Sequence, residues 1–187
     1  PPGRPIVSSI GSLLENTSCF IDIFLNPFVR NLPSYIRDTL DFLNRVNDIP
    51  WQSGYLMTTV EVISLYTAIN LQQGIGAVKH FLRSRAINLL EHSNMLLEML
   101  DFCLKHNVFA SDDAFYWQQQ GTAMGTSFAP TYANLMMVWW EEVLIWTEAN
   151  HDTLNHVILW VRFIDDLFIL WDGGRTELEK LIGNLNN

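Results

Sequence analysis

An α+β fold, an antiparallel sheet with helices packed on one face, is what this sequence predicts. Three observations carry that reading. A β-branched, apolar run extends from Tyr55 to Val62. Two strand-like arms, Val157 to Phe163 and Leu167 to Trp171, flank a pair of adjacent aspartates. Several stretches of helical spacing lie around and between them. At 187 residues, 49% hydrophobic and 17% charged, the chain has the length and apolar content of one globular domain with a core.

The elements follow in order. Pro5, Gly11, Pro27, Pro33 and Pro50 punctuate the first fifty residues, and between them Leu13 to Val29 and Ser34 to Val46 have helical spacing. Ser34 is the expected N-cap of the second, with Tyr35, Ile36, Leu40 and Leu43 apolar and Arg37, Asp38 and Asp41 outward. Gly74 and Gly76 are expected to open a helix reaching about Leu90. Asn94 to His106 gives another, with Met95, Leu96, Met99, Leu100, Phe102 and Cys103 as a broad apolar face. Phe109 to Gln120 reads as a hairpin turning at Ser111-Asp112-Asp113, and Gly121 to Gly125 as a loop. Ser127 to about Ala149 reads as one long helix with Pro130 in its first turn. Gly173-Gly174 then breaks the chain before a last helix, Glu177 to Asn187.

Charge and cysteine usage narrow the function. A formal net charge of −9 argues against a protein that grips nucleic acid through a general basic surface. Lys79, Arg83 and Arg85 share a helix and could meet phosphate, although a solvated helix face is the simpler reading. Cys19 and Cys103 are far apart in apolar surroundings, so they fit core thiols in a reducing compartment. Cys103 and His106 lie three apart with no second pair to complete a zinc site. Trp139, Trp140 and Trp146 read as core rather than as a base-stacking platform. The most apolar window, Leu135 to Trp146, is interrupted by Glu141 and Glu142 and is too short to span a bilayer, so no membrane role is expected.

Chemistry centres on Asp165-Asp166. Aspartates are frequent in turns, and Asp112-Asp113 is read that way. Asp165-Asp166 differs in its flanks: Phe163-Ile164 and Leu167-Phe168-Ile169 would bury both arms and fix the carboxylates on a rigid platform. The pair therefore caps a solvated turn or holds a divalent cation. A two-metal phosphoryl-transfer site requires such rigidity and a third carboxylate from a neighbouring strand. Glu61, at the end of the Tyr55 to Val60 run, is the best-placed candidate.

Three segments, in this order, carry a family resemblance. They are Leu56-Met57-Thr58-Thr59-Val60-Glu61-Val62-Ile63-Ser64-Leu65-Tyr66-Thr67, the run from Gln118 through Gly121-Thr122-Ala123-Met124-Gly125-Thr126 and Ala129-Pro130 to Tyr132-Ala133-Asn134-Leu135-Met136, and Phe163-Ile164-Asp165-Asp166. They resemble motifs A, B and C of the reverse transcriptase palm, most closely in Penelope-like retroelements. Gly3-Arg4-Pro5-Ile6-Val7-Ser8 resembles the preceding fingers motif, and Pro33 to Thr39 matches the same group. Telomerase-like and prokaryotic reverse transcriptases share the palm and fit the run Gly121 to Met136 less well.

The resemblance implies a single partial reverse transcriptase domain over 1–187, with about 1–50 on the fingers side and about 51–187 as palm, and with thumb and endonuclease absent. It implies RNA-directed DNA synthesis with an RNA template, a DNA primer and a dNTP as partners, in an intracellular, nuclear setting. Glu61, Asp165 and Asp166 would be catalytic. Mg²⁺, with Mn²⁺ as a substitute, would be held by Glu61, Asp165, Asp166 and the Val62 carbonyl. Arg4, Tyr66, Gln120 and Gly121 would face the nucleotide: Arg4 on the triphosphate, Tyr66 beneath the sugar, and Gly121 allowing close backbone approach. One departure stands out. The family carries Asp where this chain has Glu61, and an extra methylene misplaces a ligand to an ion that demands near-ideal geometry. A weakened or inactive polymerase, at most a remnant with residual nucleic-acid binding, is the alternative expectation.

Overall fold

The computed structural model describes residues 6–85 and 90–185. In chain order the elements are α1 (Glu15–Val29), α2 (Thr39–Asn47), β1 (Leu56–Glu61), the short α3 (Leu65–Ala68), α4 (Leu71–Arg85), α5 (Leu90–Lys105), β2 (Val108–Ser111), β3 (Ala114–Trp117), α6 (Ala129–Trp140), α7 (His151–Leu154), β4 (Val157–Phe163), β5 (Asp166–Trp171) and α8 (Arg175–Leu185). A π-helical turn, Glu141–Ile145, and a 3₁₀ turn, Glu148–Asn150, lie between α6 and α7. The expected α+β class with antiparallel sheets is what the chain adopts. By contacts it divides into two units, one made of Pro1–Arg30 and Ser64–Trp139, the other of Asn31–Ile63 and Trp140–Asn187.

The first unit is mostly helical. α1 buries Ile21, Leu25 and Val29, one residue per turn along a single stripe. α4 contributes Ala77, Val78, Phe81 and Leu82, and α5 contributes Leu96, Leu100, Cys103 and Leu104. Phe28 and Phe81 meet edge to face at 5.7 Å. Gly74 does not start a helix but sits inside α4, where a methyl group would lie 1.8 Å from the Tyr132 hydroxyl of α6. Glycine at this position therefore serves packing. β2 and β3 form the expected hairpin, with Asp112 at positive φ (53°) in its turn.

The second unit is built on a three-stranded antiparallel sheet of order β1-β5-β4. Strand alternation puts Val60, Trp160, Leu167, Ile169 and Trp171 into one core, against Leu178 and Leu181 of α8 and Ile145 and Leu154. The opposite face of β5 presents Phe168, which meets Phe42 of α2 edge to face at 5.0 Å.

Two expectations are corrected in this unit. Ser34 does not cap a helix. Its carbonyl accepts from the Arg162 N–H at 2.6 Å, and the Ile36 N–H returns a bond to the Arg162 carbonyl at 2.9 Å, so 34–36 runs as an extended segment along β4. The true N-cap of α2 is Asp38, whose carboxylate accepts from the Asp41 N–H. The helix expected over 127–149 also ends early. α6 stops at Trp140 and opens into the π turn, which turns the Glu141 side chain into the core.

Candidate active site

In the second unit, Phe163 pairs with Asp166 across the β4–β5 hairpin, leaving Ile164-Asp165 as a two-residue tip. Ile164 has φ +56°, a left-handed conformation that a β-branched side chain adopts at a cost of about 1–3 kcal/mol. On the other side of β5, Asp166 is directly opposite Glu61 of β1. Opposed residues of an antiparallel pair share a sheet face, with Cβ atoms about 4.5–5.5 Å apart. The next residue, Val62, donates its N–H to the Asp165 carbonyl at 3.0 Å, which ties the end of β1 to the tip. This unit therefore gathers Glu61, Val62, Asp165 and Asp166 on adjacent backbone. Glu61 and Asp166 face solvent, and Asp165 is half-buried. Beside Asp166, a groove of about 470 Å³ is lined by Ile36, Thr39, Phe42, Thr59 and Phe163.

Beneath the tip lies a buried polar cluster that sequence reasoning missed. Glu141, 3% exposed, accepts from the Ser34 hydroxyl (2.6 Å), the Trp160 indole N–H (3.0 Å) and Arg162 Nε (3.1 Å). Arg162 is wholly buried, and its Nη1 donates to the Ile164 carbonyl at 2.8 Å. Burial pushes the guanidinium pKa down, while the charges of Glu141 and Asp165 hold it up. The signal available in sequence was an arginine at an inward position, two residues from the inward Trp160, together with a glutamate embedded in an apolar run.

The remaining expected residues belong to the first unit, except that Arg4 lies outside the described residues. Tyr66 is half-buried on α3, and its carbonyl accepts from the Thr122 N–H at 2.7 Å. Gly121, at φ +73°, passes so close to this segment that a methyl group would stand 2.3 Å from the Tyr66 carbonyl oxygen. Gln120 lines a cleft of about 270 Å³ with Thr67, Phe109, Tyr116, Thr122 and Met124. Gly125 is held on both sides, donating to the Val7 carbonyl at 3.1 Å and accepting from the Ser9 N–H at 3.3 Å.

The other candidates resolve simply. Cys19 and Cys103 are free thiols, and Cys103 is buried, which raises its pKa. Trp140 packs against the second core, and Trp146 rests edge to face on Trp160. No helix among the described residues is long and apolar enough to cross a membrane. Among the described residues, no three His, Cys, Asp or Glu side chains form a ready-made metal cluster.

The chain has a reverse-transcriptase-like fold. Among the solved structures that it resembles are telomerases. Apo telomerase from Candida tropicalis, truncated from its C-terminal domain, matches with a TM-score of 0.65 and 13% identity, over 96% of this chain and 38% of that one. The apo telomerase of the same organism gives 0.64 and 11%, over 96% and 34%. Telomerase from Candida albicans in complex with a TWJ fragment of telomeric RNA gives 0.66 and 10%, over 93% and 32%. The chain thus spans about a third of the length of these telomerase chains. No family model and no curated protein matches it.

Proposed function

We propose that this chain is the palm, with part of the fingers, of an RNA-directed DNA polymerase of the Penelope-like retroelement group. It would act on an RNA template, a DNA primer and a dNTP within the nucleus. The observation that carries the reading is Glu61 set directly opposite Asp166, with Asp165 on the strained tip between β4 and β5. Like charges placed directly opposite destabilise a sheet, and a divalent cation reverses that effect. The motif run from Gly121 to Met136 supports the Penelope-like assignment.

The donor set suits Mg²⁺ or Mn²⁺, since all of it is hard oxygen: three carboxylates and the Val62 carbonyl. Mg²⁺ keeps several waters and is usually bound through one or two carboxylates plus substrate phosphates, so a dense protein cluster is not required. When bound, the ions would supply charge stabilisation for in-line attack of a primer 3′-hydroxyl on the α-phosphate. The chain's own residues position and select. Asp165 and Asp166 hold the reacting end on a backbone fixed by the Val62 bond. Tyr66 favours deoxyribose, Gln120 and Gly121 face the nucleotide, and Arg4 takes the triphosphate.

A second reading, a remnant without polymerase activity, is favoured by the longer arm of Glu61. Primer extension on an RNA template with Mg²⁺, comparing the chain with Asp165→Asn, tests both. Template-dependent extension that falls at least about a hundredfold in the variant is expected. Extension absent from the unaltered chain, or equal in the two, would overturn the polymerase reading.

A further inference from the structure

We propose that Arg162, anchored by Glu141, is a positioning residue that holds the Asp165-Asp166 tip in its working conformation. This rests on the nucleotidyl-transfer reading of those carboxylates. It goes further in assigning their placement to a buried ion pair that is no part of the three motifs.

Packing does not explain the pair. Arg162 occupies an inward position of β4, on the face that carries Trp160 into the core. Burying two charges costs several kcal/mol per ion, and apolar side chains of similar volume in such sites are often as stable or more so. A guanidinium adds something that an apolar side chain lacks, namely rigid, coplanar donors pointing in different directions. Here one nitrogen is fixed on Glu141 and another reaches the Ile164 carbonyl. That carbonyl belongs to the one tip residue with a left-handed backbone, and such a conformation persists only where its surroundings over-determine it.

Glu141 is itself immobilised. Three donors converge on its carboxylate, from the 34–36 segment, from Trp160 and from Arg162. It also opens the π turn, a distortion that is frequent at functional sites. The chain of contacts is continuous: Glu141 fixes Arg162, Arg162 fixes the Ile164 carbonyl, and Ile164 sets the direction of Asp165. Neither Glu141 nor Arg162 needs to touch substrate.

The test replaces the pair together with Glu141→Leu/Arg162→Met and, separately, replaces Arg162→Lys, which keeps the charge and loses the fork. Three quantities are read: thermal stability, hydrogen exchange of the Val62 amide, and kcat and KM for dNTP in primer extension. The Val62 amide reports tip placement without any catalysis, because it bonds to the Asp165 carbonyl. The double variant leaves the Ser34 hydroxyl and the Trp160 indole N–H without their acceptor, so some loss of Tm is expected. Its Val62 protection should fall at least about tenfold further than that of the inner β4 and β5 amides. Its kcat should fall about a hundredfold at little-changed KM. Arg162→Lys should lose Val62 protection nearly as far. Val62 protection and kcat at unaltered levels in the double variant would overturn the assignment. So would failure of both variants to fold, which would make the pair a requirement of the core. If the unaltered chain shows no extension, the polymerase reading fails while Val62 exchange still decides whether Arg162 holds the tip.

Discussion

Replacing Gly121 by Ala brings two costs that the structure defines. At φ +73° the residue lies in the left-handed region, where an L side chain costs roughly 1–2 kcal/mol. The added methyl would lie 2.3 Å from the Tyr66 carbonyl oxygen and 2.7 Å from Thr67 Cα. Both are backbone atoms, so no rotamer change relieves the contact, and the 66–67 segment must move away. That movement stretches the 2.7 Å bond from the Thr122 N–H to the Tyr66 carbonyl, and leaving such a bond unmade costs about 1–3 kcal/mol. Together the loss is about 2–5 kcal/mol. For a chain of this size, 1 kcal/mol shifts Tm by about 2–4 °C, so a fall on the order of 10 °C is expected. Thermal unfolding followed by circular dichroism measures it, with Gly76→Ala as an internal comparison. Gly76 is inside α4 with nothing near its missing methyl, and Ala there should gain up to about 1 kcal/mol. A Gly121→Ala variant that melts within about 2 °C of the unaltered chain would refute the packing argument.

Glu61→Asp shortens the arm opposite Asp166 and should raise the primer-extension rate on the order of tenfold to a hundredfold; equal rates count against misplacement of this ligand. Tyr132→Phe removes a buried hydroxyl that has no hydrogen-bond partner among the described residues and should stabilise by about 1 kcal/mol in urea unfolding. Burial also pushes the Tyr132 phenol well above its ordinary pKa of 10. The neutral form is favoured in the fold, so stability holds below pH 10 and declines above it. The Phe variant should show a shallower alkaline decline in Tm, and an equal decline would contradict the assignment. The Asp38 carboxylate is held below its ordinary value of 3.8, first by the Asp41 N–H and then by Arg37. Its contribution is therefore present above pH 3.8 and lost as pH falls further. Asp38→Ala should expose the Asp41 amide to exchange at neutral pH as acid does in the unaltered chain, and undiminished Asp41 protection would show that the cap is idle.

Local chemistry made some of this architecture legible. β1 and β4–β5 follow from β-branched and aromatic runs bounded by turn residues, and the β2–β3 hairpin from Asp112-Asp113, because strand propensity and turn preference act within a few residues. The misplaced cap shows where that reach ends. Pro33-Ser34 has the local form of a helix start, yet the partner that decides its conformation is Arg162, far along the chain. The α6 boundary failed for a related reason. Trp139-Trp140-Glu141-Glu142 continues a helical pattern, and only the buried Arg162, Ser34 and Trp160 around Glu141 reveal why the backbone opens there. At the site, the aspartate pair and Glu61 were visible as residue types at strand ends, while their facing register depended on non-local pairing. The Glu141–Arg162 pair was hidden because complementary charges in two distant apolar runs look, in either run alone, like surface residues.

The order β1-β5-β4 has a consequence for how the chain is made. β1 leaves the ribosome well before β5, the strand that pairs with it among the described residues. Throughout that interval β1 carries Leu56, Met57 and Val60 with unfilled backbone bonds. The intervening stretch that includes α4, α5 and α6 has time to condense before β5 arrives. Long-range pairing of this kind is slow and exposes strand edges to other chains. Soluble yield should therefore depend on translation rate and on chaperones that mask β1 until the aspartate hairpin reaches it.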